Sequence, residues 1–341
     1  MTDKIVTLNA AKKQIIALRK IFRGAQGELA AESEKILHSI SGDTAEARRI
    51  LSIAELSGLR NKYARMIEML HDDKTAQMAN RLMDTIYKTN RVTRMDAMTA
   101  QLDYYCAQLY GNSANVIKRL LVDTAQTSYL RKAFDFEQFA GHELSWAMID
   151  ARSIDVLIAS RWSGKNWSNR LWGHVKGFDT KLKDIIGRGI LTGEDTHVMA
   201  AELSKITNST RNNAERIMRT ETAFVAERAA QLAYEEFDVE KYQYLATLDL
   251  KTSEVCRDMD GRVFAREKAK TGINFPPLHP NCRSTTVPEF DDMDNDDMRA
   301  ARDPVTGKTV YEKDMSYNDW YEKRVARRME MPRSVGMPLK N

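Results

Sequence analysis

The feature that most constrains this chain is a change of hydrophobic period near Phe237. Before it, apolar residues recur at steps of three and four, as in Leu56, Leu59, Tyr63, Met66, Ile67 and Leu70, or Met78, Leu82 and Ile86. Ile15, Leu18, Ile21 and Phe22 repeat the pattern nearer the start. That spacing puts apolar side chains on one face of a helix. After Phe237 the period is two: Tyr242, Tyr244, Ala246 and Leu248 fall on one face of an extended segment. Only 16 Gly and 7 Pro occur in 341 residues, so few residues interrupt the helical part. The expected fold is therefore mostly α with a small α+β C-terminal module. A helical N-terminal region (1–150) leads into a segment with a long helix and a short antiparallel sheet (151–290), followed by a charged C-terminal extension (291–341).

Composition excludes several classes. Lys and Arg number 52 against 48 Asp and Glu, a net charge of +4, too small for a histone-like binder but compatible with a local nucleic-acid contact. With 29% charged and 43% hydrophobic residues, the chain is neither disordered nor membrane-embedded. The longest uncharged stretch, 104–117, contains Gly111, Asn112 and Ser113 and is shorter than the roughly 20 residues a spanning helix needs. No membrane partner and no signal peptide are expected, since Asp3 and Lys4 are followed by only two apolar residues. Cys106, Cys256 and Cys282 cannot form a disulfide framework, which points to synthesis in a reducing compartment. Cys106 lies in a helical run and reads as core.

Turn chemistry divides the helices. Ser41-Gly42-Asp43, His71-Asp72-Asp73 and Gly111-Asn112-Ser113 read as turns, with Asn112 or Ser113 capping a helix that carries Val116, Leu120 and Leu121. Trp162-Ser163-Gly164-Lys165-Asn166-Trp167 reads as a loop whose aromatics tuck against a core. Gly187 and Gly189 should end or bend the next helix, and Thr192-Gly193-Glu194-Asp195 is a turn. Asn208-Ser209 then opens a helix over 210–237. Its apolar stripe (Ala214, Ile217, Met218, Phe224, Val225, Leu232) contains Glu221. A carboxylate there is costly unless paired. Arg219-Thr220-Glu221 is either a catalytic carboxylate or a buried ion pair that locks the helix to its neighbours. The second reading is the stronger, because one carboxylate without a second acid, base or metal is a poor catalyst.

Two further strands are expected, near 263–264 and over 283–287, where Thr285, Thr286 and Val287 favour extended backbone. Between them lies Asn274-Phe275-Pro276-Pro277-Leu278-His279-Pro280-Asn281-Cys282. Its prolines fix their own φ and bias the residues before them, which makes a stiff, irregular loop.

The order Arg219-Thr220-Glu221, strand, Asp249, Thr252, Cys256, Asp260-Gly261, then Pro276-Pro277-Leu278-His279-Pro280-Asn281-Cys282-Arg283 resembles the head morphogenesis domain of tailed bacteriophages, the phage Mu F-like minor head family. The 162–168 segment, the Gly193 turn and the Met315-Ser316-Tyr317-Asn318-Asp319-Trp320 tail also resemble parts of such proteins, so the likeness covers about 150–325. It implies a structural minor capsid protein rather than an enzyme, present in few copies in the virion. Its place would be the head interior or portal vicinity, after assembly in the host cytoplasm. The implied partners are the portal protein, a capsid or scaffolding protein, and packaged double-stranded DNA.

The chain departs from that pattern at two thiols. Family members often read Cys-x-x-Cys where this chain has Ser253 and Cys256, and Cys-Arg-Cys where it has Cys282-Arg283-Ser284. Cys256, His279 and Cys282 supply three corners of a zinc site, one short of the usual structural set. A fourth ligand would have to be Asp258, Asp260 or a neighbour. The alternatives are a Cys256–Cys282 disulfide, or simple packing with His279 hydrogen-bonded to a backbone carbonyl; no cofactor is then required.

His279 and Asn281 also invite the reading of a metal-dependent nuclease of the His-Asn-His type acting on DNA. That chemistry needs a second metal-holding group, and the nearest other histidine in sequence is His197. In the tail, the acidic run Asp291, Asp292, Asp294, Asp296 and Asp297 reads as a solvated linker. Lys323, Arg324, Arg327 and Arg328, beside Trp320 and Tyr321, are either a portal or DNA contact or a fraying terminal helix.

Overall fold

The computed structural model describes residues 2–40, 44–70, 73–140, 142, 144–290, 298–304, 306 and 308–326. Eleven α-helices and five strands follow one another in these segments. The helices before the period change are α1 (Thr2–Ile40), α2 (Thr44–Arg48), α3 (Ile53–Glu68), α4 (Asp73–Leu82), α5 (Asp84–Lys88), α6 (Arg94–Ala140), α7 (Ala151–Ala159), α8 (Trp167–Thr192) and α9 (Thr196–Glu236). Beyond it come β1 (Lys241–Leu245), α10 (Glu254–Met259), β2 (Val263–Ala265), β3 (Thr285–Glu289), β4 (Met298–Arg302), β5 (Thr309–Lys313) and α11 (Tyr317–Tyr321). This is the expected mostly α chain with a small α+β C-terminal module. Among the described residues no helix is long and apolar enough to cross a membrane.

The chain forms two compact units built from discontinuous segments. One comprises 12–119 and 166–218; the other comprises 1–11, 120–165 and 219–341. In the first unit, Leu56, Tyr63, Ala79, Ile86, Val92 and Tyr104 join α3, α4, α5 and α6 in one apolar cluster. Ser52 and Glu55 make a reciprocal capping box at the start of α3, as serine followed three residues later by glutamate should.

Three expected helix ends are absent. α6 runs without interruption through Gly111-Asn112-Ser113. Gly111 is needed there for close approach, since a Cβ would overlap Thr75 Oγ1, and Ser113 is fully buried. α9 likewise passes through Asn208-Ser209. The Thr207 and Thr210 hydroxyls donate to the carbonyls of Leu203 (2.8 Å) and Ile206 (2.9 Å), so they satisfy themselves inside the helix instead of ending it. Gly187 and Gly189 also stay helical. α8 stops only at Gly193, whose φ of 69° is a left-handed conformation that glycine adopts without strain.

In the second unit, β1 is the centre of an antiparallel sheet of order β2-β1-β3. Tyr242, Tyr244, Ala246 and Leu248 are all buried, as their alternation requires. The third strand starts at Thr285, two residues later than expected. The stretch read as an extension folds over 298–326. β4 and β5 pair as a hairpin, and Leu248 packs with Ala301, Tyr317, Trp320 and Val325. The expected turn at 41–43, His71 and Asp72, and the acidic run (Asp291, Asp292, Asp294, Asp296, Asp297) lie outside the described residues, as do Arg327 and Arg328.

Candidate functional site

The site lies in the second unit, where α9 meets the proline-rich loop. Thr220 is buried on α9, and its Oγ1 accepts the Asn281 N–H at 2.9 Å. Asn281 has a φ of 60°, so this bond pins a left-handed corner of the loop. One residue on, buried Glu221 accepts from Trp162 Nε1 at 3.1 Å. The carboxylate thus holds the 162–165 turn, in which Ser163 and Gly164 both have positive φ. Further along α9, Arg228 bonds to Gln231. A second α9 carboxylate, Glu227, receives the Thr286 N–H (3.1 Å) and Thr286 hydroxyl (3.0 Å) of β3. Sequence reasoning missed Glu227, since its partners lie almost sixty residues away and nothing local marks it.

Asp249 and Arg283 form a two-pronged pair, with Arg283 Nη2 2.7 Å from Asp249 Oδ1 and Nη1 on Oδ2. Thr252 Oγ1 and Lys251 N add donors at 3.0 Å each. Burial alone would raise the Asp249 carboxyl, but the bonds from Arg283, Thr252 and Lys251 outweigh it and hold the group below the usual carboxylate range. Asp260 is equally engaged. It accepts from Ala246 N and Tyr317 N, each at 2.7 Å, and from both terminal nitrogens of Arg299. Gly261 follows with φ 75°, and its N–H bonds Tyr244 O at 2.8 Å.

Cys256 from α10 and His279 and Cys282 from the loop converge, their donor atoms all within 4.8 Å of one another. Cys256 Sγ lies 3.7 Å from Cys282 Sγ and 3.2 Å from His279 Nε2; the cysteines are free thiols. His279 Nδ1 bonds the Pro280 carbonyl at 2.9 Å, and Ser253 Oγ is 2.8 Å from Nε2. Tyr244 OH donates to Cys256 Sγ at 3.3 Å. Cys256 is pulled below the usual thiol range, first by its hydrogen bond from Cys282. Cys282 is pushed up by the same bond and by burial. Asp260 is committed to Arg299, and the oxygen beside His279 belongs to Ser253.

Pro276 and Pro277 are buried and joined by a cis bond, with Phe275 packed edge-on to Tyr242 at 5.3 Å. The loop's outer face and α9 line a groove of about 690 Å3 that includes Lys132, Arg219, Lys251, His279 and Arg283, with Glu227 among them. Of the tail cations, Arg324 pairs with Glu312 of β5 at 2.9 Å, while Lys323 is exposed.

The family described as "Phage Mu protein F like protein" matches residues 180–287, which carry α9, β1, β2, the start of β3 and the proline-rich loop. Two curated proteins are similar. The "NAD(+)--arginine ADP-ribosyltransferase EFV" of Enterococcus faecalis is 24% identical over 236 residues, covering 64% of this chain and 46% of that protein. An "Uncharacterized protein" of Haemophilus influenzae is 22% identical over 140 residues, covering 41% of this chain and 30% of that one. The chain therefore spans less than half the length of either relative. No solved structure matches.

Proposed function

We infer that this chain, matched over 180–287 by the phage Mu F-like family, is a minor head protein of a tailed phage or prophage that acts in head morphogenesis next to the portal. The observation that carries the reading is how the polar residues of this module are used. Thr220 holds Asn281, Glu221 holds Trp162, Asp249 holds Arg283, and Asp260 holds Arg299. Each charged or polar group is spent on bracing another segment, which is the work of a rigid assembly module. The transferase activity named for the Enterococcus relative is not carried over, because less than half of that protein is matched.

In this reading the protein works by fitting into the head, with the portal ring as its partner and packaged DNA passing nearby. Chemical cross-linking of assembled heads, read by mass spectrometry, tests the placement. Cross-links from this chain to the portal protein are expected; links to tail proteins alone would contradict it. The His-Asn-His nuclease alternative is tested by His279→Ala, which on the structural reading leaves DNA cleavage by purified protein at background both before and after the change.

A further inference from the structure

We propose that Cys256, His279 and Cys282 bind one zinc ion, with an oxygen, Ser253 Oγ nearest in place, at the fourth corner. The assignment goes beyond the head-protein reading and does not rest on it.

The sulfur spacing is the first argument. A tetrahedral zinc with Zn–S bonds of ~2.3 Å holds two thiolates about 3.8 Å apart, and Cys256 and Cys282 stand at 3.7 Å. A disulfide would need them at about 2.05 Å. The second argument is the imidazole. A carbonyl can only accept, so the 2.9 Å contact with Pro280 O places the proton on His279 Nδ1. Nε2 is then left with its lone pair facing Ser253 Oγ and Cys256 Sγ. A carbonyl on the distal nitrogen is the arrangement that fixes the tautomer of metal-binding histidines.

The third argument is how the donors are carried. Ser253 and Cys256 flank two residues on one segment; His279 and Cys282 flank two on the other. Paired ligands at this spacing on two facing segments are the pattern of structural zinc knuckles. Here three corners are soft or borderline donors, a set that selects zinc over magnesium or calcium. The surroundings hold the donors in place without the ion. Cys256 and Cys282 are buried among Tyr244, Ala246 and Leu278, and Thr220 and Asp249 fix the loop on either side of Cys282.

The test uses the full chain, purified under reducing conditions, with metal content read by plasma mass spectrometry and the stripped protein titrated with Co2+. One zinc per chain is expected, with tetrahedral Co2+ bands and charge-transfer absorption from two thiolates. Cys256→Ser and Cys282→Ser should each abolish that spectrum. Ser253→Cys adds a ligand instead of removing one. It should tighten Co2+ binding by about tenfold or more and add a third thiolate to the spectrum. Wild-type protein that is folded, with both thiols open to alkylation, and that binds neither zinc nor Co2+ would overturn the proposal. A Ser253→Cys variant with unchanged affinity and an unchanged spectrum would overturn the assignment of the fourth corner.

Discussion

Asp260 and Arg299 form a buried ion pair in which the guanidinium also donates to the carbonyls of Ala246 (2.6 Å) and Met315 (2.7 Å). Both side chains are nearly inaccessible, at 2% and 5% exposure, and although Asp314 adds a looser contact to Arg299 at 3.6 Å, Asp260 depends on Arg299 for neutralisation. The pair joins the end of β1 to the β4–β5 hairpin and, through Tyr317 N, to the start of α11. Removing one partner leaves a buried charge. Arg299→Ala should cost about 3–5 kcal/mol of stability, measurable by urea unfolding of the full chain. A loss under about 1 kcal/mol would mean the hairpin is not held this way.

Thr220→Val keeps the shape of the side chain but removes the acceptor for Asn281. The stranded N–H should cost about 1–3 kcal/mol. Hydrogen exchange read by mass spectrometry on peptides spanning 276–283 should show faster exchange in the variant, with peptides from 100–110 unchanged. Equal exchange at Asn281 in both proteins would sink the link between α9 and the loop.

Gly111→Ala tests why α6 crosses a glycine without stopping. Alanine is the better helix former by about 1 kcal/mol, so a freely exposed site would be stabilised. Here the added methyl meets Thr75, and the variant should be destabilised by about 1–3 kcal/mol. Pairing it with Thr75→Ala, which removes both the hydroxyl and the methyl that the new Cβ would meet, should restore part of the loss.

Asp103 and Asp179 share Lys183 in the interior of the 12–119 and 166–218 unit. Burial first, and then Asp179, push Asp103 up to about 8 against the pull of Lys183. In the unfolded chain the same carboxyl ionises near ~3.9. Between those values the folded state keeps a proton that the unfolded state has released, so this group's contribution to stability falls as pH rises from about 4 to about 8. The slope is at most about 1.4 kcal/mol per pH unit. Asp103→Asn should gain on the wild type across that window in urea unfolding at pH 5 and pH 8. A constant difference between the two proteins would contradict the raised Asp103 carboxyl.

Much of this was legible before any coordinates. The alternation of Tyr242, Tyr244, Ala246 and Leu248 named the central strand because one face of a small sheet must be apolar. The prolines and the Arg219-Thr220-Glu221 run marked the segments that meet, and Thr220 with Asn281 is where they do. Helix ends were less readable. Gly111, Asn112, Ser113, Asn208 and Ser209 carry turn chemistry, yet tertiary packing at Thr75 and hydroxyls returned to helix carbonyls override it. The β4–β5 hairpin was hidden because its strands are short and charged, with Arg299 and Arg302 facing Glu312 and Thr309 in register. Arg299 reads as a solvated charge until Asp260 is seen opposite it. Ser253 was read only as a missing thiol, although its hydroxyl sits where the fourth donor would be.

The most direct measurement is the protein inventory of purified heads from the phage or induced prophage that carries this chain, made with and without its gene. The account predicts that the chain is present in intact heads at a few copies per portal ring, and that heads formed without it are defective or fewer. Infectious particles of normal yield that never contain this polypeptide would contradict it.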